Sequence, residues 1–403
     1  MFRNRQLRAV VVARFVSLTG TNMTTVALPW FVLATTGSTV RMGVVLAVQL
    51  LPAAILGTFS GTAVAAVGSR RTLIGSDALR APLLAAVPGL HWLGLLSFPV
   101  LLGLVAAIGL FAVPYAAAAN SMLPEIVGED ERAVAQAVAA LQVAIQSTGV
   151  IGPVLAGVLI PFLGSPSVLL FDGASYLCCA AIVAAFVHAG GVQPRAERAR
   201  GLFVGVRALF GDSFLTAIVL AAFLAHLGMV GLLSSLPALA FRMFDDARTA
   251  GALFAADAAG SILGGLAAVW LTRRVSPVRP SLAGFAVMAA PLWLLSVATP
   301  FPLALVVLFV FGVGGPLAVA PISAALTMRV SAAVRPHVVA GFVAISSLGA
   351  PIGAAGAGVA IERVGFRATY AAVAALMTAA TILLATFARR STGSDAVPAP
   401  EPA

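Results

Sequence analysis

The sequence predicts an all-α polytopic membrane protein of twelve transmembrane helices, arranged as two pseudo-symmetric six-helix bundles. Three observations carry that expectation. The chain is 61% hydrophobic and only 9% charged over 403 residues, whereas a soluble domain is about a quarter charged and a single soluble core stops growing well short of this length. Its apolar residues fall into twelve stretches, each near the roughly 20 residues that a helix needs to cross the hydrocarbon core. The chain also repeats at a spacing of 208 residues: Gly20 falls on Gly228, Leu28-Pro29 on Leu236-Pro237, Gly43 on Gly251 and Gly57 on Gly265, without a gap.

The stretches are residues 12–34, 41–66, 72–93, 97–120, 135–161, 167–188, 214–241, 248–271, 279–298, 301–326, 337–361 and 366–388. Open sheet edges do not survive in lipid and the alternation of a barrel is absent, so each stretch is expected to be a helix. The first follows Arg3, Arg5 and Arg8, is too long for a secretory signal and lacks a cleavage site, so it is expected to be retained. Between the second and third, Gly68-Ser69-Arg70-Arg71 reads as a short basic turn. Such a turn makes its flanking helices antiparallel neighbours, and its arginines hold it at a membrane surface. The repeat sets an N-terminal bundle at 1–190, a linker at 191–212, a C-terminal bundle at 213–390 and a disordered tail at 391–403. The linker ends with Leu202, Phe203, Val206, Leu209 and Phe210 at helical spacing beside Arg207, the pattern of a short helix lying on an anionic leaflet.

Charge gives orientation. All 24 basic residues are Arg. With twelve crossings only Arg41, Arg242, Arg248, Arg363 and Arg367 face away from the termini, leaving 19 on the terminal side. Basic excess marks the cytoplasmic side, so both termini are expected in the cytoplasm and the chain in the plasma membrane. The net charge of +10 is then a topology signal rather than a nucleic-acid footprint. The missing lysine excludes a P-loop and a Schiff-base enzyme. No His/acid metal spacing or activated serine turn is present, so neither an enzyme nor a metal or cofactor site is expected. Cys178 and Cys179 lie in an apolar run, where thiols behave as small hydrophobes.

Ionisable groups inside a membrane are expensive and usually functional. Asp257 lies about eight residues into the eighth stretch, roughly 12 Å from its end at 1.5 Å per residue. The repeat sets it opposite Gln49 on the second. A carboxyl at that depth is able to load and release a proton. His226, near the middle of the seventh stretch, titrates in a range suited to proton exchange; a neutral His bonded between helices is the blander reading. Asp172, on the sixth, is the third proton-coupling candidate, with a structural helix contact as its blander reading. His91, His188 and His337 lie near helix ends. Asn22, Met23, Gln49, Tyr115, Asn120, Gln142, Gln146, Phe223 and Met229 are candidates to line a cavity, with helix packing as the alternative for each. Apolar walls with scattered amides favour a large amphipathic ligand over a sugar or an ion.

Two six-helix halves, a central basic loop and the hairpin between the second and third stretches resemble the major facilitator superfamily, over nearly the whole chain. Gly61, Gly68, Arg70 and Arg71 match that superfamily's signature loop. Ala65 stands where the family has an acid that helps lock the cytoplasmic gate, and Ala66 where it has a basic residue. Asp77 and Arg80, one turn apart in the third stretch, are placed to take over part of that role. The loop acids Glu125, Glu129, Asp130 and Glu131 are placed to pair with Arg70, Arg71, Arg329 or Arg335.

On the fifth stretch, Gly149-Val-Ile-Gly152-Pro153-Val-Leu-Ala-Gly157 resembles the Gly-Pro motif of drug/proton antiporters, and Gly349-Ala-Pro351-Ile-Gly353 echoes it on the eleventh. Gly and Pro permit close helix approach and a bend. Leu123-Pro124-Glu125 and Phe171-Asp172-Gly-Ala-Ser175 resemble the branch with macrolide-efflux and siderophore-export proteins. The Arg that many drug antiporters carry on the fourth helix is missing here. The resemblance implies a monomeric secondary transporter in the lipid bilayer that exchanges protons for hydrophobic or amphipathic small molecules. The alternatives are an uptake symporter of the same fold and a non-transporting receptor or lipid-binding scaffold.

Overall fold

The structure is a computed structural model that describes residues 5–57, 64, 66–127, 131–188, 202–272, 274, 278–330 and 335–394, and among them all regular structure is helical. The N-terminal part holds α1 (Arg5–Thr36), α2 (Thr39–Leu56), α3 (Ser69–Trp92) and α4 (Phe98–Val127). The run Glu131–Phe186 is interrupted at Gly164 (φ 77°, ψ 152°), which separates α5 (131–163) from α6 (165–186). After α7 (Leu202–Gly211) come α8 (Ser213–Leu239), a π-helical turn (Ala240–Phe244), α9 (Ala247–Thr272), α10 (Val278–Val297), α11 (Phe301–Arg329) and α12 (Arg335–Ser347). The run Gly349–Ser394 is interrupted at Gly365 (φ 81°, ψ 176°), giving α13 (349–364) and α14 (366–394).

Counting each interrupted run once, nine helical segments among the described residues are long and apolar enough to cross a bilayer. The chain is a multi-pass membrane protein. Helix bounds follow the apolar stretches closely because hydrocarbon thickness sets both.

Two local expectations need correction. Gly68 (φ 90°, ψ 148°) alone supplies the non-helical backbone before α3, so Arg70 and Arg71 sit in the first turn of that helix rather than in a loop. Gly61 and Ala65 lie outside the described residues. The eleventh stretch is two helices: Pro351 has no N–H to give the carbonyl of Ser347, and the chain turns at Leu348 between α12 and α13. The linker helix α7 packs on α12 and α8. Its Leu209 is buried among their side chains while Phe210 is exposed. Asp212 then caps α8, accepting from Phe214 N at 2.7 Å and Leu215 N at 3.0 Å.

One apolar core gathers side chains of α8, α10, α11 and α14, and another those of α1 to α6 together with Ala238, Ala240, Ala247, Ala250 and Ile361. The end of the bundle holding the start of α1 is termed basal here and the opposite end apical. Near the apical end the N- and C-terminal parts meet at two glycine crossings. On α2 and α13, a Cβ at Gly43 would lie 2.7 Å from Ala354 O and 3.1 Å from Gly358 Cα. On α5 and α9, a Cβ at Gly251 would lie 3.3 Å from Gly157 Cα, with Pro153 O 2.5 Å away. Gly43 and Gly251 are repeat partners at 208, and Gly157 and Gly358 are partners at 201, the separation of the two interruptions at Gly164 and Gly365. The repeat in the sequence is thus a repeat in helix packing, and only glycine allows these backbones to touch.

Candidate functional site

Between α1, α5, α8 and α9 lies a cavity of about 290 Å³. Asn22 and Thr25 face it from α1, Gln146, Gly149 and Pro153 from α5, Leu233 from α8, and Phe254, Asp257, Ala258 and Ser261 from α9. The Gly-Pro motif builds one wall. A Cβ at Gly152 would lie 2.5 Å from Asn22 Cβ and 2.8 Å from Thr19 O, so the glycine brings α1 against α5 and sets Asn22 at the rim. Asn22 Nδ2 donates to Thr148 Oγ1 at 3.0 Å, and Thr148 donates to Ile145 O at 2.6 Å. On the facing side Gly312 of α11 packs on the Asp257 carbonyl, and Ser261 Oγ donates to Gly312 O at 3.3 Å. Asp257 is the one ionisable residue of the lining among the described residues. Its carboxyl has no hydrogen-bond or ion-pair partner among the described residues.

The structure therefore brings together Asn22, Gln146 and Asp257 with the motif residues Gly149 and Pro153. The other sequence candidates lie elsewhere. Met23 is buried in the N-terminal core. Gln49 is half-buried, its carbonyl covered by Gly109 of α4, just as Gly312 covers Asp257. Asn120 and Gln142 are exposed and do not line this cavity. Phe223 and His226 lie at the α8–α13 crossing, where a Cβ at Gly349 would be 2.6 Å from Phe223 O and 3.2 Å from His226 Cβ. No described contact links His226 to Asp257. Met229 packs on the C-terminal core.

Tyr115 departs furthest from a lining role: it is 5% exposed and belongs to a buried polar cluster of α1, α3, α4 and α6. There the fully buried Asp172 accepts from Thr24 Oγ1 at 2.6 Å and from Ser175 Oγ at 3.2 Å. Arg80 donates to the Tyr176 hydroxyl at 2.6 Å, pairs with Asp77 at 3.4 Å and stacks over the Tyr176 ring at 4.0 Å. Arg80 and Arg14 also lie over Tyr115, at 5.4 and 5.5 Å. Two carboxyls face two guanidinium groups, so the cluster balances its charge internally, which is what allows it to persist inside a membrane. Asp77 and Arg80 are thus buried in a helix junction rather than poised at the basal surface.

At the basal end Ser69 Oγ donates to Glu125 Oε1 at 2.6 Å. Arg70 donates to Ala184 O at 2.7 Å and to Val187 O, closing the exposed carbonyls at the end of α6. Arg71 is exposed. Glu129 and Asp130 lie outside the described residues.

One group escaped the sequence reading. At the apical end Glu362 of α13 accepts from Thr39 N at 3.0 Å, from Thr39 Oγ1, and from Arg242 at 2.9 Å, while Arg242 also donates to Gly37 O at 3.1 Å. This carboxylate ties the start of α2 to the end of α13 beside the Gly43–Gly358 crossing. The repeat-related crossing carries instead Arg248 over the Phe162 ring at 5.6 Å. The available signal was that Arg242 is one of the few arginines on that side.

The family model described as transmembrane secretion effector matches residues 1–402. The chain belongs to this family of the major facilitator superfamily. Among curated members, the multidrug efflux pump Tap of Mycolicibacterium fortuitum is 24% identical over 377 residues, covering 91% of this chain and 92% of that protein. The multidrug efflux pump Tap of Mycobacterium tuberculosis is 27% identical over 204 residues, 49% of this chain and 48% of its own length. That match thus spans about half of the mycobacterial relative. Among solved structures, a mutant of the nucleoside transporter NupG superposes with a TM-score of 0.78 at 12% identity, covering 94% of this chain and 99% of that one. A bacterial homologue of the human lysosomal transporter Spinster, solved inward-facing and unoccupied, superposes at 0.75 with 15% identity over 99% of each chain. These two likenesses show the shared superfamily fold. Members of this superfamily are not enzymes.

Proposed function

We propose that the chain is a secondary active exporter of amphipathic small molecules, driven by protons and working by alternating access. The observation that carries this reading is Asp257: a carboxyl without a partner in a cavity bounded by both repeats. Its negative charge is costly at that depth in a membrane, and a proton or a bound cation relieves that cost. A group that alternates between those two states couples one flux to the other.

The remaining parts fit a rocking mechanism. The interruptions at Gly164 and Gly365 raise the nine apolar segments to eleven crossings and the 32-residue α1 supplies the twelfth, so that residues 1–190 and 213–390 form two six-helix bundles. The glycine crossings and the Glu362 link close the apical side, which the arginine bias assigns to the exterior of a plasma membrane, with both termini in the cytoplasm. The chain acts as a monomer. The names of the Tap relatives support export of several unrelated compounds.

Purified protein reconstituted into liposomes under an imposed proton gradient tests the reading. A fluorescent amphipathic dye is expected to move against the direction of proton flow, and Asp257→Asn to abolish the pH dependence. Dye moving with the protons would make the chain a symporter, and unchanged pH dependence in the variant would remove Asp257 from the coupling.

A further inference from the structure

The outer face of α13 leaves a groove of about 700 Å³ at its seam with α2, beside and basal to the Gly43–Gly358 crossing. Leu51 walls it from the N-terminal half; Leu348, Ile352, Gly356 and Val359 run along it from the C-terminal half, and no polar side chain lines it among the described residues. Its floor is a glycine that helix packing does not demand. A Cβ at Gly353 or Gly358 would strike Leu227 O or Thr39 O, but one at Gly356 would meet nothing within 4 Å. Glycine weakens a helix, so what Gly356 contributes is the space it leaves. The repeat-related helix shows the contrast. At a shift of 201, Ile151-Gly-Pro-Val-Leu155-Ala-Gly-Val-Leu159-Ile-Pro-Phe162 of α5 aligns with Ile352-Gly-Ala-Ala-Gly356-Ala-Gly-Val-Ala360-Ile-Glu-Arg363 of α13. Where α5 fills this face with Leu155, Leu159 and Phe162, α13 empties it and ends it on a cation.

Ile352, Gly356, Val359 and Arg363 follow one another at steps of three and four residues, so Arg363 stands at the apical end of the groove's own stripe. From Ile352 to Arg363 the helix rises about 16 Å at 1.5 Å per residue, the depth of one hydrocarbon leaflet of about 15 Å. Arg363 is exposed and has no hydrogen-bond or ion-pair partner among the described residues. Its neighbour Glu362 is engaged by Thr39 and Arg242. The other charges at the apical ends of α2, α13 and α14 are Arg41, Arg363 and Arg367.

We propose that this groove seats one acyl chain of an anionic phospholipid from the apical leaflet, with its phosphate held by Arg363. The guanidinium presents the paired N–H donors that a phosphate accepts, and the bare face beneath it takes a chain laid along the helix. A zwitterionic lipid brings an ammonium into a corner already rich in arginine, and a lipid without phosphate gives Arg363 nothing to bind. Because the walls belong to different halves, the lipid touches both. Rocking that parts the apical ends about the glycine crossing carries Leu51 toward Ile352 and narrows the groove. A seated lipid therefore favours the apically closed state. That consequence rests on the reading of the halves as rocking; the lipid site does not.

Purified full-length protein in detergent is titrated with dioleoyl phosphatidylglycerol, dioleoyl phosphatidylethanolamine or dioleoylglycerol, and bound lipid is counted by native mass spectrometry. One phosphatidylglycerol is expected to bind about tenfold tighter than either of the others, the order of one charge-assisted contact. Arg363→Gln is expected to remove that preference. Gly356→Leu places the α5 residue where a side chain has room, and is expected to lose the tight site with its thermal midpoint unchanged. A phosphatidylglycerol affinity equal to that of dioleoylglycerol, or either variant binding like wild type, would overturn the proposal. So would a dimer of the chain that Gly356→Leu dissolves, since the groove would then take a second copy.

Spin labels on the apical ends of α2 and α13 separate the site from its consequence. In nanodiscs, adding phosphatidylglycerol to phosphatidylcholine is expected to shift wild type toward the short, apically closed distance and to leave Gly356→Leu where it was. Tight binding with no such shift removes the effect on rocking and leaves the lipid site standing.

Discussion

The junction of α1 with α6 and that of α8 with α14 use one backbone design for two kinds of chemistry. Gly20 and Gly228, partners at 208, each let the first helix of a half press onto the last. Beyond Gly20 stand Asp172 and Ser175; beyond Gly228 stand Val373, the 201-related partner of Asp172, and Met377, that of Tyr176, with Met377 Cε 2.6 Å from where a Cβ would be. In the N-terminal half the contact is locked by hydrogen bonds from Thr24 and by Tyr176, itself held by Arg80. In the C-terminal half it is dry side-chain packing within the core. At α2 and α9 the asymmetry reverses, with Gln49 on one side and Asp257 on the other. Charge in this molecule is therefore of two sorts. The balanced cluster of the N-terminal half holds helices together, while the unbalanced carboxyl of the C-terminal half lies at a cavity.

Exchanging the two junctions tests this contrast. The largest effect is expected from Val373→Asp, which buries a carboxyl with no cation nearby; it should cost beyond about 5 kcal/mol and abolish folded protein on size exclusion in detergent. Asp172→Val makes the first junction resemble the second but strands Thr24 and leaves a buried excess of positive charge. A loss of about 3–5 kcal/mol is expected, read as a large drop in thermal midpoint; a stability equal to wild type would show the cluster to be dispensable. Gly20→Ala drives a methyl into Asp172 and Ser175 and should cost about 1–3 kcal/mol. Gly228→Ala meets only the flexible end of Met377 and should cost under about 1 kcal/mol, so similar values for the pair would contradict the contrast. The smallest effect is expected from Glu362→Gln, since its pair with Arg242 is partly exposed. A change of about 0.5 kcal/mol shifts the ratio of apically closed to open molecules about twofold, which spin-label distances between α2 and α13 would report.

The helices were legible because hydrocarbon thickness imposes a length on each, and the repeat in their packing because glycine is irreplaceable where Gly43 meets Gly358 and Gly157 meets Gly251. Asp257 was legible because a lone acid deep in an apolar run is rare. Asn22 and Gln146 were legible only as polar residues on helices expected near a cavity. What the sequence could not supply was which way a side chain turns. Tyr115 and Met23 read as lining residues because polarity or softness says nothing about helix rotation, and Tyr115 faces Arg14 and Arg80 instead. Asp77 and Arg80 are one turn apart and easily paired by eye, but their partners Tyr176 and Asp172 come from a helix nearly a hundred residues away. Glu362 escaped for the same reason: its partners are Thr39 and Arg242, and only the folded chain brings the three together.

Proton release on ligand binding tests the central claim most directly. Purified protein in weakly buffered detergent near neutral pH is mixed with the apolar cation naphthylmethylammonium while a pH dye is followed. The account predicts that saturation frees a proton from wild-type protein and that Asp257→Asn frees none while still binding the ligand weakly. Equal release from both proteins, or saturable binding to wild type without any release across the neutral range, would contradict it.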